Sequence, residues 1–425
     1  MKVGILGLGT VGGGVVNVLR KNADSIKRRT GVKVKVVLAG VRDVSQDRIC
    51  DTSDITLTED PYKVVNHKDV DVVLELIGGT EVTKDLVETA IKNGKHVITA
   101  NKALLAEHGN DLIKLANKNK VRLLFEASVA GGIPIIKSLE QGLSANKIES
   151  LAGIVNGTGN FILTEMKEKD RNFEDVLKEA QMLGYAEADP TYDIEGIDAA
   201  HKLSILAAIA FGTELQFDKV YTKGISEITT EDIKYATELG YVIKHLGIAK
   251  RVGNSIEMRV HPTLIAKDQI LANVNGVMNA ILVKGDALGT SLYYGAGAGD
   301  EATASAVIAD LIDIINNQTS NHILGWKSQE KTKVIDNNLI NSEFYLRLLV
   351  SDVSGVLAKL TQIFHQEKVS IEAFIQKQVD ADNNAHIVII TNKINTKNVI
   401  NIKTKIEASD FNQDSVQILH VETLD

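Results

Sequence analysis

A chain that begins with a short apolar strand, turns on closely spaced glycines and runs straight into an apolar helix has few folds open to it. Lys2 to Leu8 alternates short apolar residues and reads as a buried parallel strand; Gly7, Gly9 and Gly12 then lead into a helix through Leu19. Gly7 permits the tight turn, Gly9 lets the backbone approach a pyrophosphate, and Gly12 allows the helix to sit close to its strand. The amides of the first helical turn, at Thr10 and Val11, then face the phosphates. Glycine turns alone are common, but with this strand and this helix on either side the pattern predicts a dinucleotide-binding domain.

The following segments extend that pattern. Val32 to Val41 is a second strand ending in Arg42 and Asp43, where an enzyme restricted to NAD usually places an acid on the adenosine ribose. Arg42 points instead to a 2′-phosphate, and so to NADP over NAD; the alternative is a surface pair with Asp43. Val70 to Ile77 is another apolar strand, closed by Gly78 and Gly79. Leu86 to Asn93 is a helix, and His96 to Thr99 a strand running into Ala100, Asn101 and Lys102. Strand, helix, strand in this order is an α/β, doubly wound arrangement of Rossmann type. Ligands bind off the carboxyl ends of such strands, so Gly78 and Lys102 fall on the cofactor side. Lys102 at that edge can reach a phosphate, a carboxylate or a reacting oxygen, or simply be solvated.

At 425 residues the chain exceeds one ordinary core and is expected to divide into two or three domains. The net charge of -8 is spread rather than blocked, which offers nucleic acid no basic surface. Cys50 is the only cysteine, so no intrachain disulfide or thiolate metal cluster can form, and a reducing cytoplasm is the expected compartment. No leader and no membrane-spanning run is indicated.

In the middle of the chain, Val121 to Phe125 is a strand followed by Glu126, a small-residue turn and a helix from Pro134 to Leu143. Glu126 beside the carbonyls of Val129, Gly131 and Ile133 forms a candidate oxygen site for a hard monovalent cation; the alternative is a loop that happens to follow a glutamate. Ser150 to Val155 is a strand entering the turn from Asn156 to Asn160, where Thr158 and nearby amides can bind a carboxylate or carbonyl, or cap the helix from Phe161 to Glu168. The most unusual stretch is Gly184 to Lys202. It gathers Glu187, Asp189, Asp193, Glu195 and Asp198 with no compensating base before His201 and Lys202. An acidic wall of this kind suits a cationic group. On a helix starting near Glu195, Asp198 and Lys202 share a face, where the carboxylate can hold an ammonium for proton transfer; a solvated turn with a surface ion pair has the same spacing. His201 reads as a packed helical histidine. Ser255 to Val260, Asn279 to Lys284 and Thr290 to Tyr294 are strands, and the glycines ending at Gly299 precede a helix from Ala302 to Ile315, either a second loop able to close on a nicotinamide or a flexible hairpin exit.

Together these motifs resemble the homoserine dehydrogenase family. The matching segments are GLGTVG at Gly7, TANKALLAEHG at Thr99, FEASVAGGIPII at Phe125, GIVNGTGNFIL at Gly153, GYAEADPTYDIEGIDAAHKL at Gly184, VHPTLI at Val260 and GAGAG at Gly295. They run in family order from Met1 to about Ile315; Gly159 departs, where many relatives have threonine. The resemblance implies reversible reduction of L-aspartate 4-semialdehyde to L-homoserine with NAD or NADP. It makes Lys202 the proton donor and acceptor, Asp198 its partner and Lys102 a residue near cofactor and substrate. Glu187 and Asp193 become binders of the substrate amino group and its neighbouring atoms. It also implies a sodium ion at Glu126, Val129, Gly131 and Ile133.

After a polar stretch from Leu324 to Asn341, the order strand, helix, strand, strand, helix, strand from Phe344 to Val421, with SDVSGVLAKL, resembles an ACT module; Ser354 stands where that family commonly has proline. The resemblance implies an amino-acid effector, threonine being the expected one, and edge-to-edge pairing into a homodimer or homotetramer; Gly355 either allows close approach of that small ligand or merely caps the strand turn. The expected limits are a dinucleotide domain over 1–130 completed by a helix near 302–316, an α+β catalytic and dimerisation domain over 131–301, a linker over 317–342 and the ACT module over 343–425. A thioester-forming aldehyde dehydrogenase would need a cysteine nucleophile, and Cys50 lies near the adenosine side. A sensor without catalysis has no use for Lys102, Asp198 and Lys202 together. A fused amino-acid kinase is not expected ahead of the opening strand.

Overall fold

The opening turn organises a parallel sheet in the computed structural model, which describes residues 1–317, 324–377 and 379–424. The expected linker and ACT limits therefore include positions outside the described residues, namely 318–323, Gln378 and Asp425. The chain divides into two units, one of 1–157, 197–220 and 277–332, the other of 158–196, 221–276 and 333–425.

In the first unit, β1 (Lys2–Leu6), β2 (Lys35–Gly40), β3 (Thr56–Thr58), β4 (Val72–Glu75), β5 (His96–Thr99) and β6 (Leu123–Leu124) form one parallel sheet in the order β3-β2-β1-β4-β5-β6. Strand order reverses between β1 and β4, and that switch point opens the crevice for a ligand. Gly7 has φ +95°, and a Cβ there would lie 2.8 Å from the Leu76 carbonyl oxygen; a Cβ on Gly12 would lie 2.0 Å from the Gly7 carbonyl oxygen. Neither position tolerates a side chain without moving backbone. The glycine helix is Thr10–Lys21, and the Asp300–Asn316 helix packs on it through Ala304, Val307 and Leu311, in one core with Val3, Ile5, Val15 and Val16. The unit also carries β7 (Ile148–Ile154), antiparallel to Met278–Gly285, which pairs with Gly289–Ala296.

One local expectation is corrected here. The helix read over 134–143 is a three-residue α-turn, Ile135–Lys137, followed by a π-helical turn, Ser138–Gly142. An apolar run after a proline carries no signal for that register change; the Ile136 and Lys137 amides just ahead of it donate to the Glu126 carboxylate.

The second unit contains a long hairpin, Tyr241–Val252 against Ser255–Ala266. The sequence reading had no strand over the first of these and ended the second at Val260. His261 and Pro262 continue it, although Pro262 lacks a ladder donor and reads as a strand end. Beyond this hairpin the order Asn341–Ser351, Val356–Gln366, Ile371–Gln376, Asn384–Thr391, Thr396–Glu407 and Gln417–Val421 gives an antiparallel sheet over a core of Phe344, Leu346, Leu360, Phe364, Ile389 and Ile402. Its last strand, Gln417–Val421, also pairs in parallel with Ser255–Ala266. No helix among the described residues is long and apolar enough to cross a membrane.

Candidate active site

At the carboxyl ends of β1, β2 and β4 a groove of about 790 Å³ is lined by Gly7, Gly9, Arg42, Arg48, Gly78 and Gly79. A Cβ on Gly9 would meet no protein atom within 4 Å, so the space beyond this glycine is left open. Gly9 is also the N-cap of the Thr10–Lys21 helix and caps it with no side chain, leaving the first-turn amides at Thr10 and Val11 to a ligand. These features fit a dinucleotide. Asp43 does not consume Arg42: its carboxylate accepts from the Ser45 amide at 2.7 Å and the Ser45 hydroxyl at 2.6 Å, and its carbonyl accepts from Arg48. Arg48 is a groove residue that sequence reading missed. It lies outside the fingerprint, on a loop with no periodic signal. Gly299 caps the Asp300–Asn316 helix with φ +127°.

Lys102 is placed by a short buried relay. The Glu75 carboxylate, fully buried, accepts from the amides of Ile77 (3.1 Å) and Gly78 (3.2 Å) and from the Thr99 hydroxyl (2.5 Å). Asn101 donates to the Gly79 carbonyl at 2.6 Å and accepts from the Leu104 amide at 3.0 Å, capping the Lys102–Lys118 helix. The glycine turn after β4 and the lysine after β5 are thus tied together.

That lysine meets the acidic stretch. Asp198 and Lys202 lie one turn apart on the Ile197–Phe211 helix, with Lys202 Nζ 2.7 Å from Asp198 Oδ2, while Lys102 Nζ is 2.9 Å from Asp198 Oδ1. Asn156 Nδ2 donates to Asp198 Oδ2 at 2.9 Å, and Lys202 Nζ donates to the Val155 carbonyl at 2.7 Å. Burial pushes the Asp198 carboxyl up. The charges of Lys202 and Lys102 and the hydrogen bonds from Lys202 and Asn156 outweigh it and hold the group well below the carboxylate range. His201, buried and tilted against the Phe217 ring with centroids 4.2 Å apart, is lowered to about 4 by burial, partly offset by Asp198. The cluster therefore holds two lysine cations, one carboxylate and a neutral imidazole.

The other acidic residues fall in the second unit. Asp189 accepts from the Thr191 amide (3.1 Å) and hydroxyl (2.6 Å), and Glu195 accepts from the Ser226 hydroxyl at 2.7 Å, so both shape the turn. Glu187 is exposed and Asp193 half-buried. Thr158 lies in the first turn of the Gly157–Lys169 helix rather than ahead of it, and its hydroxyl donates to the Tyr185 carbonyl at 2.6 Å.

Glu126 is buried, and its two carboxylate oxygens accept from the amides of Ile136 (2.9 Å) and Lys137 (2.8 Å). The Lys137 ammonium stands 4.0 Å from Oε2 and pairs with Asp310. The Ile133 carbonyl accepts from the Ile135 amide, and the left-handed φ angles of Ala130 (54°) and Gly131 (38°) turn the backbone between Val129 and Ile133. The Glu126 carboxylate is thus supplied with donors by protein. Among the described residues no group of three or more His, Cys, Asp or Glu side chains can hold a metal ion. Gly355, with φ +95°, borders a separate cavity of about 330 Å³ with Asp352, Ser354 and Gln376.

Two family models match the chain, "Homoserine dehydrogenase, NAD binding domain" over residues 7–126 and "Homoserine dehydrogenase" over residues 134–312. The homoserine dehydrogenase of Pseudomonas aeruginosa is 50% identical over 432 residues, spanning 100% of this chain and 99% of its own length. That of Neisseria gonorrhoeae is 50% identical over 434 residues with the same shares. The crystal structure of a homoserine dehydrogenase from Thiobacillus denitrificans superposes with a TM-score of 0.95 at 51% identity, covering 99% of this chain and 98% of that one.

Proposed function

The chain belongs to the homoserine dehydrogenase family, and on that premise we propose that it reversibly reduces L-aspartate 4-semialdehyde to L-homoserine, with NADP favoured over NAD, under feedback from threonine. When bound, the nicotinamide supplies or takes up the hydride. The chain's own groups orient the substrate and move the proton. Lys202 protonates the alkoxide that forms as the aldehyde is reduced, and takes the proton back from the alcohol in the reverse direction. Asp198 keeps the Lys202 ammonium in place, and Lys102, with 37% of its side chain exposed against 12% for Lys202, offers a second cation to a substrate oxygen. Glu187 and Asp193 hold the substrate amine, and Thr158 its neighbouring polar atoms.

Arg42 and Arg48 together favour a 2′-phosphate, which supports NADP. A sodium ion, where one binds, is held by the carbonyls of Val129, Gly131 and Ile133 beside Glu126. The C-terminal sheet acts as an ACT-type sensor that takes threonine near Gly355, and the enzyme is a homodimer or homotetramer of the cytoplasm.

The observation that carries the catalytic reading is the buried Asp198 carboxylate shared by Lys102 and Lys202. Lys202→Ala is expected to lower turnover by about 100-fold or more, the range of a lost general acid, with NADPH affinity unchanged. Near-normal turnover in the folded variant would sink the assignment. The same aldehyde-dependent assay, run with NADPH against NADH and with or without threonine, checks cofactor choice and feedback.

A further inference from the structure

The Asp198 carboxylate oxygen that binds Lys202 has a second donor, and that donor is neutral. Asn156 Nδ2 lies 2.9 Å from Oδ2, the same atom that Lys202 Nζ approaches to 2.7 Å. The Asn156 side chain is buried and leaves the end of β7 at a fixed place: a Cβ on the next residue, Gly157, would lie 2.8 Å from the Val277 carbonyl oxygen. The preceding residue binds the other member of the pair, since the Val155 carbonyl accepts from Lys202 Nζ. Two consecutive residues of one strand end thus hold both the carboxylate and the ammonium.

We propose that Asn156 is a positioning residue for proton transfer, which competes with Lys202 for Asp198 Oδ2 and so limits how tightly the carboxylate holds the lysine's proton. The inference rests on the reading of Lys202 as the proton-transfer group. Its physical basis is that an oxygen accepting two hydrogen bonds gives less to each than it gives to one alone. A neutral amide tempers the carboxylate without adding a charge, whereas a third cation would pull it from Lys202 and a second carboxylate would bind Lys202 harder. The charges of Lys102, at the start of its helix, and Lys202 face Asp198, with His201 on the same Ile197–Phe211 helix as Lys202; His201 is neutral, and Asn156 is the neutral donor that the fold brings to Oδ2.

The test uses the full-length enzyme with Asn156→Leu, which keeps the branched shape in a bulkier side chain and removes the donor, and Asn156→Ser, which is smaller and keeps a hydroxyl. The readouts are kcat for aldehyde reduction across pH, cofactor Kd and Tm. Reduction needs Lys202 protonated, so its rate falls on the alkaline side where that proton is lost. Expected for Asn156→Leu is a kcat lowered about tenfold, cofactor Kd within about twofold, and an alkaline limb moved up by about half a pH unit or more. Asn156→Ser should fall between this variant and the parent, and decides the matter by the direction of its shift if the leucine variant does not fold. A limb that stays in place, whatever happens to kcat or Tm, overturns the inference, because a merely structural asparagine lowers rate or stability without moving it. Lys202→Ala run in parallel separates the two claims. If that variant retains turnover, the reading of Lys202 fails; if it is inactive and the Asn156 limbs do not move, only the role of Asn156 fails.

Discussion

The two lysines on Asp198 do not have equivalent surroundings, and the same holds for other charged groups whose neighbours the sequence conceals. Arg42 was legible because it follows a strand, but Arg48 joins it only through the fold of a loop, and together they line the groove at the end of β2. Replacing both by alanine is expected to raise the KM for NADPH by about 100-fold, two charge-assisted contacts at roughly 1.5 kcal/mol each, while the KM for NADH changes by less than about threefold; equal losses with both cofactors would contradict a 2′-phosphate role. Glu140 shows the opposite kind of concealment. It falls within the stretch read as a helix from Pro134 to Leu143 and carries no signal of its own, yet it lines a cavity with Glu126, Lys137 and Asp310, and burial, opposed by Lys137, pushes its carboxyl up to about 7. A carboxyl raised from 4.5 in the unfolded chain binds its proton more tightly when folded, so its stabilising share is complete below pH 4.5 and is lost as pH rises to about 7. Thermal melts of Glu140→Gln should therefore gain on the parent between about pH 5 and pH 8, the window of that linkage. A Tm difference independent of pH would show that Glu140 does not titrate there.

At the scale of the element, the glycine turn was readable because each glycine answers a different local demand, and those demands predict different failures. Gly12 is needed by the protein itself, with the Gly7 carbonyl oxygen 2.0 Å from where a Cβ would sit; Gly9 faces open space. Gly9→Ala should leave the Tm of the cofactor-free enzyme within about 1 °C, as expected for a change of a few tenths of a kcal/mol, and weaken NADPH binding about tenfold or more by crowding the phosphates. Gly12→Ala should lower both stability and binding. Calorimetry with and without NADPH distinguishes the two, and loss of apo stability in Gly9→Ala would refute the division of roles. Where the signal was tertiary, the reading failed. The π-helical turn at Ser138–Gly142 has no periodic signature. The strand Tyr241–Val252 carries Lys244 and His245 buried within it, the lysine donating to the Val274 carbonyl at 2.6 Å and the histidine nitrogen 3.0 Å from the Lys223 carbonyl. Polar residues at buried strand positions break the alternation by which strands are recognised. The Gly184–Lys202 stretch lies between these cases: its ion pair followed from spacing, whereas the turn-building roles of Asp189 and Glu195 depend on Thr191 and Ser226 and could not be counted from sequence alone.

At the scale of the second unit, the C-terminal module is joined by more than the polar stretch before it. Its last strand, Gln417–Val421, lies between Asn341–Ser351 and the hairpin strand Ser255–Ala266, so it is an interior strand. Immediately after it, buried Glu422 pairs with Arg259 at 2.6 Å and with Lys250 at 2.7 Å, and His261 stacks on His420 with centroids 4.1 Å apart. Burial pushes the Glu422 carboxyl up, but Arg259 and Lys250 outweigh it and bring it down to about 2. A glutamate three residues before the last one has the appearance of a solvated tail, and nothing in its neighbourhood along the chain announces an arginine that is only 1% exposed. Removing the partner of a buried charge costs about 3–5 kcal/mol, and of the two carboxylates on Arg259 only Glu257, at 3.1 Å, is then left. Glu422→Ala should therefore lower the urea midpoint of the whole second unit, Ser255–Ala266 included, and a chain stopped before Gln417 should fail to give a cooperative transition. A module that merely hangs from a linker predicts the reverse, a truncated enzyme with an unchanged midpoint that has lost only its response to threonine. Measuring that midpoint alongside activity decides between a detachable module and one built into the sheet it completes.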